Sequence, residues 1–186
     1  MRKISAITLM LMLAACGPTL TLQPLWDEQH LVAEPGLEGQ WIDSDGERIL
    51  RFRQGGDKRY TVDFVTADGA SRYDGHLVRL GDHLFLDLCL GEKAANTLIE
   101  GQAFAPLLPA HFFARLRLDN GRLHLGLLAI EDMQKQIEAG VIKAQTAKAE
   151  GDVILTGDTR ELQEAVSALA GSEDWDETVF TRSGTH

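Results

Sequence analysis

The chain has 186 residues, with 18 basic and 28 acidic side chains and a formal net charge of −10. This balance argues against binding to nucleic acid and against electrostatic attraction to anionic lipid, since both require a basic surface. The length suits a single domain with a sizeable core.

The first residues, 1–15, have the pattern of a signal peptide. Two basic residues precede an apolar stretch, 4–13, that is too short to span a bilayer as a mature helix. The Leu-Ala-Ala sequence before Cys16 resembles the lipobox of bacterial lipoproteins, which implies cleavage before Cys16 and acylation of its thiol. Gly17 stands where an inner-membrane retention signal usually has Asp, so the resemblance implies a lipid anchor in the outer membrane, facing the periplasm. The alternative is an ordinary secretory signal with an accidental cysteine.

The mature chain divides into two parts. Residues 16–34 contain two prolines and no regular hydrophobic period, which predicts a lipidated tether in which Trp26 and the pair 31–32 contact the body. Residues 35–186 form one predicted domain of β-barrel type. Cys89 is the second cysteine, so no intramolecular disulfide is expected once Cys16 carries lipid, and its apolar surroundings favour a buried thiol over a reactive one.

From residue 37 the hydrophobic period becomes two, which is typical of strands. The turn dipeptide at 81–82 predicts a hairpin that pairs His76 with Asp87, and Asn120-Gly121 predicts one that pairs Ala114 with Leu127. The pattern predicts strands at 37–43, 47–53, 59–66, 71–80, 83–90, 114–119 and 122–127.

The second half adds a long connection and two helices. The apolar connection 91–109 is predicted to pack as a flap in which Leu98, Phe104 and Leu108 contact a ligand. A helical period predicts a helix from 130 to about 148, and a second helix capped by Asp158 and stopped by Gly171. Short strands are predicted at 152–156 and 178–182.

These elements predict a mostly β fold, an antiparallel up-and-down barrel or a strongly curved sheet with two helices in its C-terminal half. The helices are expected to close one end or one side of it.

Gly39-Gln40-Trp41 resembles the Gly-x-Trp signature of lipocalins. The resemblance implies that Trp41 closes the base of an eight-stranded barrel and that an arginine from the end of the fold, here Arg182, packs over it. The later lipocalin motifs are absent from the chain. Over a longer stretch, 31–182, the sequence is similar to a group of uncharacterised bacterial lipoproteins. This resemblance supports the predicted fold and the predicted location in the cell envelope, but it implies no activity.

Two groups of polar residues are candidate sites. His76 opposite Asp87 could bind a metal or position a proton, although a structural pair that links two strands is the favoured interpretation. His111 joins them only where the fold brings the second hairpin alongside.

Arg115, Arg117 and His124 share one face of the second hairpin. They could bind a carboxylate or phosphate headgroup if that face lines a cavity, and a solvated outer face is the favoured alternative.

The chain contains no Gly-x-Ser-x-Gly elbow, no His-Glu-x-x-His helix and no phosphate-binding glycine loop, so neither an enzymatic activity nor a cofactor is predicted. The leading hypothesis is a membrane-anchored barrel that binds a small apolar or lipid-like molecule. The alternative is an interaction module for an envelope protein complex, and an enzyme with a His76/Asp87 site ranks third. A large dry cavity favours the first hypothesis, and a solid core with an exposed apolar patch favours the second.

Overall fold

The computed structural model describes residues 18–90, 110–149 and 152–183. The strands are β1 (Leu20–Thr21), β2 (Leu31–Val32), β3 (Gly39–Asp43), β4 (Ile49–Gln54), β5 (Arg59–Thr66), β6 (Gly69–Leu80), β7 (His83–Leu90), β8 (His111–Asp119), β9 (Arg122–Leu128), β10 (Thr146–Ala149), β11 (Asp152–Leu155) and β12 (Trp175–Arg182). The helices are α1 (Ile130–Glu138) and α2 (Thr159–Leu169), and a 3-10 turn spans Pro35–Leu37.

Eight of these strands close into an antiparallel barrel. Strands β3 to β9 pair in chain order, and β12 lies between β9 and β3, so every barrel strand has two neighbours. The predicted barrel is therefore confirmed. The predicted hairpin registers are also confirmed, since His76 pairs with Asp87 and Ala114 with Leu127.

The alternation along the strands produces two apolar cores. Inward side chains such as Phe52, Tyr60 and Leu86 fill the barrel. Outward side chains of β6 to β9 and β12 pack instead against α1 and α2, where Met133 and Leu162 are completely buried. The helices therefore cover one side of the barrel, which is one of the two positions expected for them.

The base of the barrel is sealed by Trp41. Its ring is 1% exposed, and its Nε1 donates a hydrogen bond to the carbonyl of Leu37 at 2.8 Å. The guanidinium of Arg182 lies over the ring, 4.7 Å from its centroid, and donates to the carbonyls of Gly36 and Glu38. The contact implied by the Gly-x-Trp resemblance is thus present.

Gly39 makes this contact possible. Its φ is +123°, a conformation that side chains disfavour, and a Cβ at this position would lie 3.0 Å from Nη1 of Arg182.

Residues 18–34 pack closely on the body, in contrast to the tether expected from the sequence. Strand β1 pairs with β8 of the barrel and with β11, which in turn pairs with β10. It therefore connects the barrel to the two short strands β10 and β11. Leu25 is 1% exposed, and α2 holds its backbone through a hydrogen bond from Gln163 to the Leu25 carbonyl at 2.9 Å. A two-residue strand has too few side chains to show a period, which is why the pattern did not reveal it.

The helix predicted at 130–148 is shorter than expected. α1 ends at Glu138, and Gly140 adopts a φ of +70°, which terminates the helix, so the chain can return as β10 beside β11. The second helix is confirmed, since the side chain of Asp158 accepts a hydrogen bond from the N–H of Glu161 at 2.9 Å.

Replacing Arg182 tests the seal. Arg182→Ala removes one cation–π contact and two hydrogen bonds at the exposed base, so we expect the free energy of unfolding to fall by about 1–2 kcal/mol. Urea denaturation followed by tryptophan fluorescence measures the loss. Arg122→Ala, a matched change at an exposed arginine on the neighbouring strand β9, should change stability by less than about 0.5 kcal/mol. Equal losses in the two variants would show that Arg182 does not stabilise the base.

Candidate functional site: an apolar cavity at the open end of the barrel

Among the described residues, the end of the barrel opposite Trp41 opens into a cavity of about 180 Å³. Most of its wall is aliphatic or aromatic, and two polar residues complete it. The lining residues are Arg48, Leu50, Val62, Phe64, Tyr73, Leu86, Leu88, Phe112, Ala114, Leu125, Leu127, Thr178 and Phe180. Because β7 ends and β8 begins at this end, the predicted flap 91–109 connects there. That segment, with Leu98, Phe104 and Leu108, lies outside the described residues.

Small inward residues shape the interior. Ala114 on β8 contributes only a methyl group to the cavity wall, although its neighbours on the inner face are large. Gly75 on β6 also faces inward, and a Cβ there would lie 3.0 Å from Val62 and 3.3 Å from Leu88. The glycine lets these two side chains, which line the cavity, pack closely against β6.

The rim carries one ion pair between a buried carboxylate and a half-exposed arginine. Asp43 at the end of β3 accepts a hydrogen bond from Nε of Arg48 at 2.7 Å, and the Asp43 side chain is 2% exposed. That hydrogen bond holds the pKa of Asp43 below its usual value. The Arg48 side chain is 45% exposed and reaches Thr178 across the rim at 3.5 Å. A cation and a hydroxyl group therefore border an otherwise apolar opening.

The predicted cationic residues lie outside the barrel. Arg115 donates to the carbonyl of Ala170 at 2.8 Å, and Oε1 of Glu177 lies 2.8 Å from Nδ1 of His124 and 3.6 Å from Arg117. The hydrogen bond with His124 holds the pKa of Glu177 below its usual value. Arg115, Arg117 and His124 therefore do not line the barrel cavity. They line a separate, more polar pocket of about 480 Å³ together with Glu34, Arg79 and Glu177, so the condition that their face borders a cavity is met at a different place from the barrel interior.

Asp87 binds His111 in preference to its strand partner His76. One carboxylate oxygen lies 2.7 Å from Nδ1 of His111, and the other accepts the N–H of Leu25 at 2.7 Å. The Asp87 side chain is 1% exposed. Because a buried carboxylate is costly unless it is hydrogen-bonded, this arrangement stabilises the N-terminal segment on β7.

His76 is covered by the same segment. Its ring stacks on Trp26 with 4.4 Å between centroids. Burial lowers the pKa of His76, and the nearby carboxylates of Asp87 and Asp74 oppose that shift without reversing it.

Cys89 lies beside His111 across the β7–β8 pair. Burial raises the pKa of its thiol, which reduces the thiolate that a nucleophile requires. The residues around Asp87 thus form a packed polar cluster rather than an open cleft. Among the described residues, no three histidine, cysteine or carboxylate side chains are arranged to hold a metal ion.

The sequence revealed part of this site. The inward alternation of β5, β7 and the second hairpin placed seven of the thirteen lining residues on the inner face: Val62, Phe64, Leu86, Leu88, Ala114, Leu125 and Leu127. Phe112 was missed because it precedes the predicted start of its strand. Extending the period-two pattern backwards from Leu116 through Ala114 would have found it.

In the described part of the chain, no helix has the length and apolar character needed to cross a membrane. Comparison with protein-family models, curated proteins and solved structures finds no match to this chain.

The pKa of His76 generates a pH prediction. In the unfolded chain the residue titrates near about pH 6.5, and the folded protein resists its protonation, so the unfolded state binds more protons as the pH falls below that value. The free energy of unfolding should therefore decrease between about pH 7.5 and about pH 5. His76→Phe keeps an aromatic ring against Trp26 but cannot be protonated. In this variant the contribution of residue 76 to the decrease in the free energy of unfolding should vanish.

Urea titrations at several pH values provide the measurement. His83→Phe, at an exposed histidine on β7, should retain the wild-type pH dependence. An unchanged slope in His76→Phe would show that the buried imidazole does not contribute.

Proposed function

We propose that this protein is a lipid-anchored lipoprotein of the cell envelope whose barrel binds the apolar part of a small lipophilic or amphipathic molecule. The observation that carries the proposal is the asymmetry of the barrel. Trp41 and Arg182 seal one end, and the other end, as far as the described residues extend, opens into a cavity walled by apolar side chains.

The cavity volume limits the ligand. Pockets for drug-sized molecules usually measure about 300–1,000 Å³, whereas an apolar cavity of about 150 Å³ holds a benzene molecule. At about 180 Å³, this cavity has room for one ring or a short stretch of alkyl chain. Each buried methylene group contributes about 0.8 kcal/mol, so such a stretch supplies moderate affinity.

The rim favours an amphipathic ligand. A molecule whose apolar end occupies the cavity would leave its polar end beside Arg48 and Thr178. The exposed part of the Arg48 guanidinium can donate hydrogen bonds to a carboxylate or phosphate oxygen.

The proposed location depends on Cys16, which lies outside the described residues. After removal of residues 1–15 the chain would have 16 basic and 28 acidic side chains, so charge would not hold it on an anionic membrane. Acyl chains on Cys16 supply that attachment by burying methylene groups. The lipobox resemblance and Gly17 favour the outer membrane, and we propose that the body lies on its periplasmic side.

Filling the cavity tests ligand binding. A soluble form that begins at Gly17 should enhance the fluorescence of cis-parinaric acid, a polyene fatty acid that can place a stretch of its chain in a cavity of this size and leave its carboxylate at the rim. Ala114→Phe places a ring in the cavity and should weaken probe binding by at least about tenfold, equivalent to about 1.4 kcal/mol. Fatty acids of increasing chain length should displace the probe from the wild type.

The matched control is Ala70→Phe, which makes the same change at an exposed position of β6. It should bind the probe as the wild type does, and circular dichroism should show that both variants are folded. Absence of binding to the wild type, or equal binding by Ala114→Phe, would contradict the proposal and favour an interaction module for an envelope protein partner.

Metabolic labelling tests the anchor. Cells given an alkyne-bearing fatty acid should label the full-length protein, and Cys16→Ser should abolish the label because the acceptor thiol is lost. Cys89→Ser removes the other cysteine and should leave the label unchanged. Density-gradient fractionation should recover the labelled protein with outer membranes. Label that persists in Cys16→Ser would contradict a lipid anchor at this residue.

A further inference from the structure

The N-terminal segment is fixed beside the mouth of the barrel. Pro18 forms a β-bridge with Ala129, and Thr19 donates two hydrogen bonds to the carbonyl of Leu128, from its N–H at 3.1 Å and from its hydroxyl at 2.9 Å. Thr19 is 2% exposed. Leu128 and Ala129 directly follow Leu127, which lines the cavity. The chain therefore enters the body at the rim.

The spacing of the sequence brings the lipid acceptor to the same rim. Two peptide bonds separate Cys16 from Pro18, and consecutive Cα atoms are about 3.8 Å apart, so these two Cα atoms are separated by at most about 7.6 Å. A tether of residues 16–34 would have let the barrel turn freely above the membrane. With Pro18 bound to Ala129, an anchor on Cys16 holds the mouth close to the bilayer.

The rim exposes one large apolar side chain beside polar turns, which carry Asp45, Glu47 and Asp68 at the same end of the barrel. Leu127 is 41% exposed and is one of two large apolar side chains that are exposed among the described residues. It stands at the opening, and the end of the barrel far from the anchor is the one closed by Trp41. The opening left by the described residues thus faces the side where acyl chains are available.

From this placement we propose that the cavity takes an acyl chain of a membrane phospholipid through a mouth held at the bilayer surface. The inference rests on the proposed function, both the anchor at Cys16 and the apolar ligand. The acyl chains of Cys16 itself are a less suitable occupant, because stable anchoring requires more than one chain in the bilayer.

Photolabelling in vesicles tests the occupant. The full-length, lipidated protein is reconstituted into phosphatidylethanolamine and phosphatidylcholine vesicles containing a phospholipid with a diazirine near the end of one acyl chain. After illumination, mass spectrometry should locate the label on inward side chains of the cavity, Leu88, Phe112 and Leu125. The turn at Gly81–Asp82, at the closed end, should carry no label.

Three variants test whether labelling requires the cavity and the anchor on Cys16. Ala114→Phe should reduce labelling of the cavity by about tenfold, equivalent to about 1.4 kcal/mol, and Ala70→Phe should not reduce it. Cys16→Ser, added to the same vesicles, should also lose the label, because the anchor supplies the high local lipid concentration.

The results separate the inference from the proposed function. Label confined to Leu127, or equal label at the closed end, would overturn the inference even where the soluble form binds cis-parinaric acid. Failure of both assays would overturn the proposed function as well.

Discussion

Closure of the sheet between β3 and β12 is the constraint on which the rest of the structure depends. A sheet that stopped at either strand would expose an unpaired edge and leave its apolar face without a partner. Pairing of these strands places Trp41 opposite Arg182 in the register, so closure and the plug at the base form together. Gly39 belongs to the same unit, because a side chain there would collide with the guanidinium. In this chain the Gly-x-Trp tripeptide is thus explained by two contacts with Arg182: the tryptophan ring lies under the guanidinium, and the glycine leaves room for it.

Closure also determines how much space remains inside. Eight strands enclose an interior just wide enough for side chains to fill it, so a cavity exists only where the inward residues are small or the barrel end is uncovered. Large rings fill the base, as Phe52 and Tyr60 show. Ala114, and a rim that the described part of the chain leaves uncovered, account for the remaining volume at the other end. The interior therefore combines features of the two leading hypotheses, a mostly solid core and one small apolar cavity.

The sequence predicted what local patterns encode. Alternation and two turn dipeptides were sufficient for the barrel strands and for the register of two hairpins, because both are set by neighbouring residues. The partner of Asp87 was harder to predict. His76 is its cross-strand neighbour, yet the carboxylate binds His111, which is 24 residues away. The other oxygen of Asp87 accepts the N–H of Leu25, which lies in a segment whose sequence has no regular hydrophobic period and whose position the pattern therefore did not predict.

That buried carboxylate connects the path of the N-terminal segment to the wall of the cavity. Asp87 faces outward on β7 and binds Leu25, while Leu86 and Leu88, its neighbours on the same strand, face inward and line the cavity. Since alternate side chains of a strand project from opposite faces, one strand holds both the segment and the wall. With Cys16 acylated as proposed, the orientation of the mouth relative to the bilayer is then a property of the fold itself. A flexible tether would have left that orientation to diffusion.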